Sequence, residues 1–152
     1  MHTAQSDQRV LGYLGRALSM ELSAVQLYST QARLVASWGL PEASARLRNE
    51  SEEELEHVTR IIECMITTGV APGASQLRPV RLASDLSALL KINQQFESEV
   101  IDLYRDAAKH CARIGDDDHR AFFEGLLEDE RFHQQELRSW QASLKTGPTA
   151  IQ

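Results

Sequence analysis

Residues 52–57, EEELEH, end in a Glu-x-x-His pair, Glu54 and His57, and residues 128–133, EDERFH, end in another, Glu130 and His133. Both members recur at one lag: 130 − 54 = 76 and 133 − 57 = 76. The same lag carries Glu21 to Glu97, Tyr28 to Tyr104 and Gly39 to Gly115. A partner Glu also stands at a fixed distance upstream in each copy, 54 − 21 = 33 and 130 − 97 = 33. The chain is therefore read as an internal repeat of two equivalent helical hairpins, which restricts its fold to one that uses the same hairpin twice.

Apolar residues recur at helical spacing, and no strand pattern competes. Leu11, Leu14, Leu18, Val25, Ala32 and Val35 mark a first stripe, ended by WGLPE, where Gly39 suits a C-cap and Pro41 a helix start. A second stripe runs from Leu47 through Ile61 and Cys64. Residues 69–84 read as a linker, after which Ser84 is the expected N-cap. The third stripe carries Leu86, Leu90, Val100 and Cys111, and the fourth Phe123, Leu126, Leu137, Trp140 and Leu144. Expected helices span roughly 7–37, 42–68, 85–112 and 117–145 within a single domain, 1–152. The turns at Gly39 and Gly115 make each hairpin antiparallel. The linker of ~16 residues reaches ~50 Å when extended, longer than a ~28-residue helix of ~42 Å. The fold class is all-α: a four-helix bundle, two antiparallel hairpins joined by a long crossover, as in ferritin-like proteins.

Continued in steps of three and four, each stripe meets charge where the core should be. Helix one reaches Glu21, helix two Glu50, Glu54 and His57, helix three Glu97, and helix four Glu130 and His133. Buried carboxylates need protons, partners or a metal. Pairing across the turns puts Glu21 beside Glu54 and His57, and Glu97 beside His133. Glu and His at i and i+3 serve one side of a helix. One Glu from each of two helices with Glu-x-x-His from the others is the ligand pattern of di-iron carboxylate bundles. In that pattern Glu54 and Glu130 bridge two iron ions, Glu21 and Glu97 are terminal, and His57 and His133 bind one metal each. Four carboxylates balance two divalent charges, and oxygen-rich ligation suits redox iron better than structural zinc, with manganese left open.

Around these six, Tyr28 and Tyr104 lie two turns along the face of Glu21 and Glu97. There they can bond a ligand carboxylate, donate an electron, or simply fill core. Glu50 is a further metal candidate and, with Glu53, can guide iron at the inner mouth; a solvated acidic face is the alternative. Glu52 and Glu56 read as surface charge, and His110 and His119 as residues of helix ends. His2 is expected to be disordered, and Cys64 and Cys111 to be reduced core thiols. The net charge of −6 argues against a nucleic-acid surface and is compatible with attracting small cations. With no apolar run of ~20 residues there is no membrane span. The N-terminus lacks a signal pattern, which makes the cytoplasm the expected compartment.

Through LGRALSMELSAVQLYSTQARLVASWGL, ESEEELEHVTRIIE and LLEDERFHQQEL the chain resembles bacterioferritin over most of its length. The resemblance implies a cage-forming subunit, with a shell of about 24 copies favoured. Such a subunit oxidises Fe(II) with O2 or H2O2 and stores ferric mineral. It assigns the di-iron ligands to Glu21, Glu54, His57, Glu97, Glu130 and His133, with Tyr28 supporting. Three positions depart from the family pattern. The haem-ligating methionine that follows the bridging Glu of helix two is here Leu55, which cannot ligate iron and counts against haem. Met20 is on another helix and reads as core packing. Asn49 replaces a common inner-surface His, and KTGPTAIQ is short for a fifth helix. Beside a ferroxidase and iron-storage subunit stand two other functions. One is a rubrerythrin-like peroxidase, disfavoured because its four-cysteine module is missing. The other is a haem-free partner subunit that co-assembles with a haem-binding paralogue.

Overall fold

The computed structural model describes residues 7–73 and 75–146, so His2 and the tail beyond 146 lie outside the described residues. These residues form four helices: α1 (Gln8–Ser37), α2 (Pro41–Thr68), α3 (Leu86–Ile114) and α4 (Asp117–Thr146). Each boundary lies within two residues of the expected one. Asp7 is a cap rather than a helical residue, accepting from the Arg9 and Val10 amides at 2.9 and 3.1 Å. The expected cap at Ser84 moves one residue on: Asp85 Oδ1 accepts from the Ala88 amide at 2.8 Å. Both residue types make good N-caps, and the bond from the Ala88 amide puts the cap at Asp85.

Gly39, Gly69 and Gly115 stop their helices with φ of 79°, 92° and 74°, a left-handed turn that a Cβ opposes. Pro41 then opens α2 where no amide donor is needed. The numbering of the cross-helix bonds fixes direction. Ser44 Oγ donates to the Ala32 carbonyl between α1 and α2, while Gln31 and Asn93 exchange two amide bonds of 2.7 and 2.8 Å between α1 and α3. With His110 bonded to Asp7 at the far end, α1 runs antiparallel to both α2 and α3. Hence α2 and α3 are parallel, as the long crossover demands. Two serines of α1 hold that crossover in place: Ser19 Oγ accepts from the Gln76 amide at 3.2 Å and Ser23 Oγ from the Arg78 amide at 3.0 Å.

The core falls into two apolar clusters. The larger gathers Val10, Leu14, Leu18, Ile61, Val100, Phe123 and Leu126, and the smaller Val35, Leu47, Leu89, Leu137 and Trp140 where α1 turns into α2. Fully burying each of these side chains contributes ~1.5–3 kcal/mol, as an upper figure against an extended chain. The stripes hold with local shifts: Cys64 is half-buried and Met65 takes the inward place, whereas Cys111 is fully buried.

Candidate metal centre

The six repeated Glu and His residues converge inside the bundle. One ligand atom from each of Glu21, Glu54, His57 and Glu130 falls within 4.8 Å of the others, and the same holds for Glu54, Glu97, Glu130 and His133. Glu54 and Glu130 belong to both groups. Glu50, the further metal candidate, belongs to neither.

His57 Nδ1 lies 3.1 Å from Glu21 Oε2, 3.0 Å from Glu54 Oε1 and 3.9 Å from Glu130 Oε2. Its other nitrogen, Nε2, bonds Asp129 Oδ2 at 3.2 Å. His133 repeats the pose, with Nδ1 2.9 Å from Glu130 Oε1 and Nε2 3.2 Å from Glu53 Oε1. The two rings stack with centroids 5.8 Å apart. Tyr104 donates to Glu21 Oε2 at 2.5 Å. Tyr28, its counterpart in the repeat, is equally buried and its hydroxyl has no partner.

Electrostatically the cluster is strained without a cation. Glu21 Oε1, both oxygens of Glu54, both of Glu97 and Glu130 Oε2 are buried with no hydrogen-bond partner. A single proton on His57 Nδ1 cannot serve every oxygen around it, which is why Glu54 Oε1 stays unpaired at 3.0 Å. Desolvation, reinforced by the neighbouring carboxylates, holds Glu54, Glu97 and Glu130 well above the usual carboxylate range. Burial works against a charged His57, but bonds to Glu21 and Asp129 and their charges outweigh it and raise this group. At His133 burial prevails over the charge of Glu53 and the group is lowered. Burial also raises the phenols of Tyr28 and Tyr104, with Glu97 and Glu21 their respective leading neighbours. Glu50, half-buried between Arg46 and other acids, is pushed up to about 8, mainly by desolvation. The orphaned oxygens and opposed imidazoles fit a pair of hard divalent cations, which would replace the missing partners.

A ferritin-like domain model matches residues 11–146. Bacterioferritin of Rhodobacter capsulatus is 33% identical over 129 residues, 85% of this chain and 80% of that protein. This chain belongs to the bacterioferritin family. A bacterial ferritin of Neisseria gonorrhoeae is 31% identical over 112 residues, 74% of this chain and 72% of the relative. A solved structure of the Rhodobacter capsulatus bacterioferritin superposes with a TM-score of 0.91 at 30% identity, covering 97% of this chain and 93% of that one. That structure has a metal-free dinuclear site and a haem iron on a crystallographic special position.

In this bacterioferritin relative, Leu55 is half exposed on α2 and offers no lone pair to a haem iron. Outside the paired Glu and His, a cavity of about 450 Å³ opens between α2 and α4, lined by Glu52, Glu53, Glu56, Arg60 and Asp129 with both histidines. Glu52 and Glu56, read as plain surface charge, therefore stand at the mouth of the site. A larger cavity of about 600 Å³ lies where the crossover passes α1; Met20 is on its wall, and none of the six repeated residues is. His110 and His119 serve helix ends: His110 bonds the Asp7 cap, and His119 joins Asp116 to Thr68. No helix among the described residues is long and apolar enough to cross a membrane.

Sequence reasoning missed Asp129, Arg60 and the pairing of Tyr104 with Glu21. A signal for Asp129 was present: the lag of 76 that relates the histidines also carries Glu53 to Asp129.

Proposed function

We propose that the protein is a ferroxidase and iron-storage subunit, taking Fe(II) as substrate at a two-iron site and passing Fe(III) to a mineral store. The observation that carries this reading is the set of orphaned carboxylate oxygens inside two ligand groups sharing Glu54 and Glu130. Burying so many unpartnered oxygens costs several kcal/mol unless protons or cations neutralise them, and a pair of cations serves both groups at once. Glu21 and His57 hold one iron and Glu97 and His133 the other, while Glu54 and Glu130 touch both. Two Fe(II) supply two electrons, enough to convert O2 and two protons to H2O2, or H2O2 and two protons to two waters. The four carboxylates neutralise the incoming charge and favour the harder ferric product, and the imidazoles retain Fe(II) before oxidation. The acidic mouth formed by Glu52, Glu53 and Glu56 attracts the cation from solvent. Assembly into a cytoplasmic cage of about 24 subunits accompanies this role.

Haem does not fit the position its family ligand would occupy, because Leu55 stands there. That residue favours a second reading, in which the chain supplies the oxidation site within a hetero-oligomer and a haem-binding paralogue supplies electron entry.

The test is an anaerobic Fe(II) titration of the metal-free protein followed by O2. A fast phase saturating at about two irons per chain, with continued soluble uptake, is expected of a homo-oligomeric store. Saturation without further uptake favours the partner subunit. Absence of a fast phase sinks the ferroxidase reading.

A further inference from the structure

The two imidazoles are supported from the wrong hairpin. His57 belongs to the first hairpin, yet its Nε2 is met by Asp129 of the second; His133 belongs to the second, yet its Nε2 is met by Glu53 of the first. These two carboxylates are themselves one repeat apart, 129 − 53 = 76, and each stands immediately before a shared Glu, Glu130 or Glu54. The same face of α2 and α4 is also joined by apolar packing of Val58, Ile61 and Met65 with Phe123, Leu126 and Leu127 in one core cluster.

A neutral imidazole has one N–H, and its partner decides which nitrogen keeps it. With a carboxylate oxygen at Nε2 the N–H is held there, so a cation entering among the buried carboxylates has only the Nδ1 proton to displace and meets that lone pair. Such outer carboxylates orient the ring and strengthen the ligand. The two supports are unequal. Asp129 Oδ2 also accepts from Arg60 Nη1 at 2.9 Å, the same oxygen that His57 uses. The repeat position of Arg60 is 60 + 76 = 136, a glutamate, so Glu53 has no matching cation from that place.

We infer that Asp129 and Glu53 are positioning residues that hold His57 and His133, each across the bundle, in the tautomer that turns Nδ1 to the metal, and that Arg60 makes the His57 half the tighter of the two. This rests on the two-metal reading above. Each half-site is then complete only when both hairpins are packed, so metal loading ties the hairpins together.

The test reads metal binding rather than turnover. The metal-free full-length protein in its assembled form is titrated anaerobically with Co(II), followed by its visible bands. Wild type takes up two Co(II) per chain with unequal affinity. Asp129→Asn weakens the tighter site by about 10–100-fold, Glu53→Gln weakens the looser site by less, and Arg60→Gln falls between wild type and Asp129→Asn at the tighter site. Asp129→Glu restores most of the loss. In a His57→Ala background Asp129→Asn has no further effect, whereas in a His133→Ala background it keeps its full effect; a residue that only supports the fold acts equally in both. Wild-type titrations by Asp129→Asn and Glu53→Gln, or equal effects in the two backgrounds, overturn the inference while leaving the two-metal reading standing. A wild type that binds no Co(II) pair overturns both. Should Asp129→Asn fail to fold, Arg60→Gln and Glu53→Gln carry the same comparison.

Discussion

Each hairpin spells the same three candidate ligands, Glu, Glu and His, and the two halves treat them differently. Around His57 the layer outside the ligands is closed: Asp129 holds Nε2, Arg60 holds Asp129, and Tyr104 holds Glu21. Around His133 it is open: Glu53 stands without Arg60's counterpart, both oxygens of Glu97 are unpartnered, and the Tyr28 hydroxyl that should match Tyr104 is alone. The His57 side chain is 4% exposed and that of His133 14%. A repeat can preserve ligand identity, which spacing along a helix enforces, while its surrounding hydrogen bonds diverge. In this molecule the two half-sites differ in what their Glu and His residues lean on.

Breaking what the halves share has the largest effect. Glu54→Ala and Glu130→Ala each remove a residue common to both ligand groups. The fast oxidation phase in stopped-flow should fall by more than the ~10–100-fold that loss of an outer partner costs. Glu21→Ala and Glu97→Ala touch one group each, and should leave one Co(II) bound where the shared variants leave none. Unchanged oxidation kinetics in Glu54→Ala would refute its place at the centre.

A smaller effect separates the tyrosines. Tyr104→Phe deletes a short bond to a buried carboxylate and leaves Glu21 Oε2 to His57 alone. The metal-free protein should lose ~1–3 kcal/mol in urea unfolding. Tyr28→Phe removes a buried hydroxyl that has no partner, so it should be neutral or slightly stabilising. Equal losses in the two variants would show that the asymmetry of the halves is absent in solution.

The convergence of these residues was legible because a helix turns position into direction: Glu and His on the seam of an apolar stripe have nowhere to point but inward. The lag of 76 then made coincidence untenable, and glycines at 39 and 115 marked two of the helix ends. What stayed hidden is what two helices decide jointly. Nothing in the spacing of α2 says that His57 meets Asp129 of α4, and nothing in α1 says that Gln31 pairs with Asn93 rather than facing solvent. Glu52 and Glu56 read as surface charge because they are exposed; only the packing of α4 against α2 turns them into the mouth of a cavity. The cap at Asp85 rather than Ser84 is a one-residue choice between two good acceptors, settled by where the crossover delivers the chain.

The subtlest test uses pH and a residue outside both ligand groups. Glu50 is pushed up to about 8 by burial, against an ordinary carboxylate value of 4.5, and Glu54, Glu97 and Glu130 are raised too. A carboxyl group raised on folding binds its proton more tightly in the folded state. Its contribution is therefore fully present below pH ~4.5 and is lost as pH climbs through the folded value. The metal-free protein should lose stability between pH ~4.5 and ~8, each such proton adding at most ~1.4 kcal/mol per pH unit. Glu50→Gln should remove one proton's share of that slope, less a discount for its partial exposure, and leave the rest. Divalent metal should reverse the dependence of the ligand carboxylates, because the cation competes with protons and its grip strengthens as pH rises. The Glu50 share alone should survive metal loading, since that residue lies in neither ligand group. A Glu50→Gln slope equal to that of wild type, in urea melts taken across this range, would mean that water reaches Glu50 and the acidic layer stops at the ligands themselves.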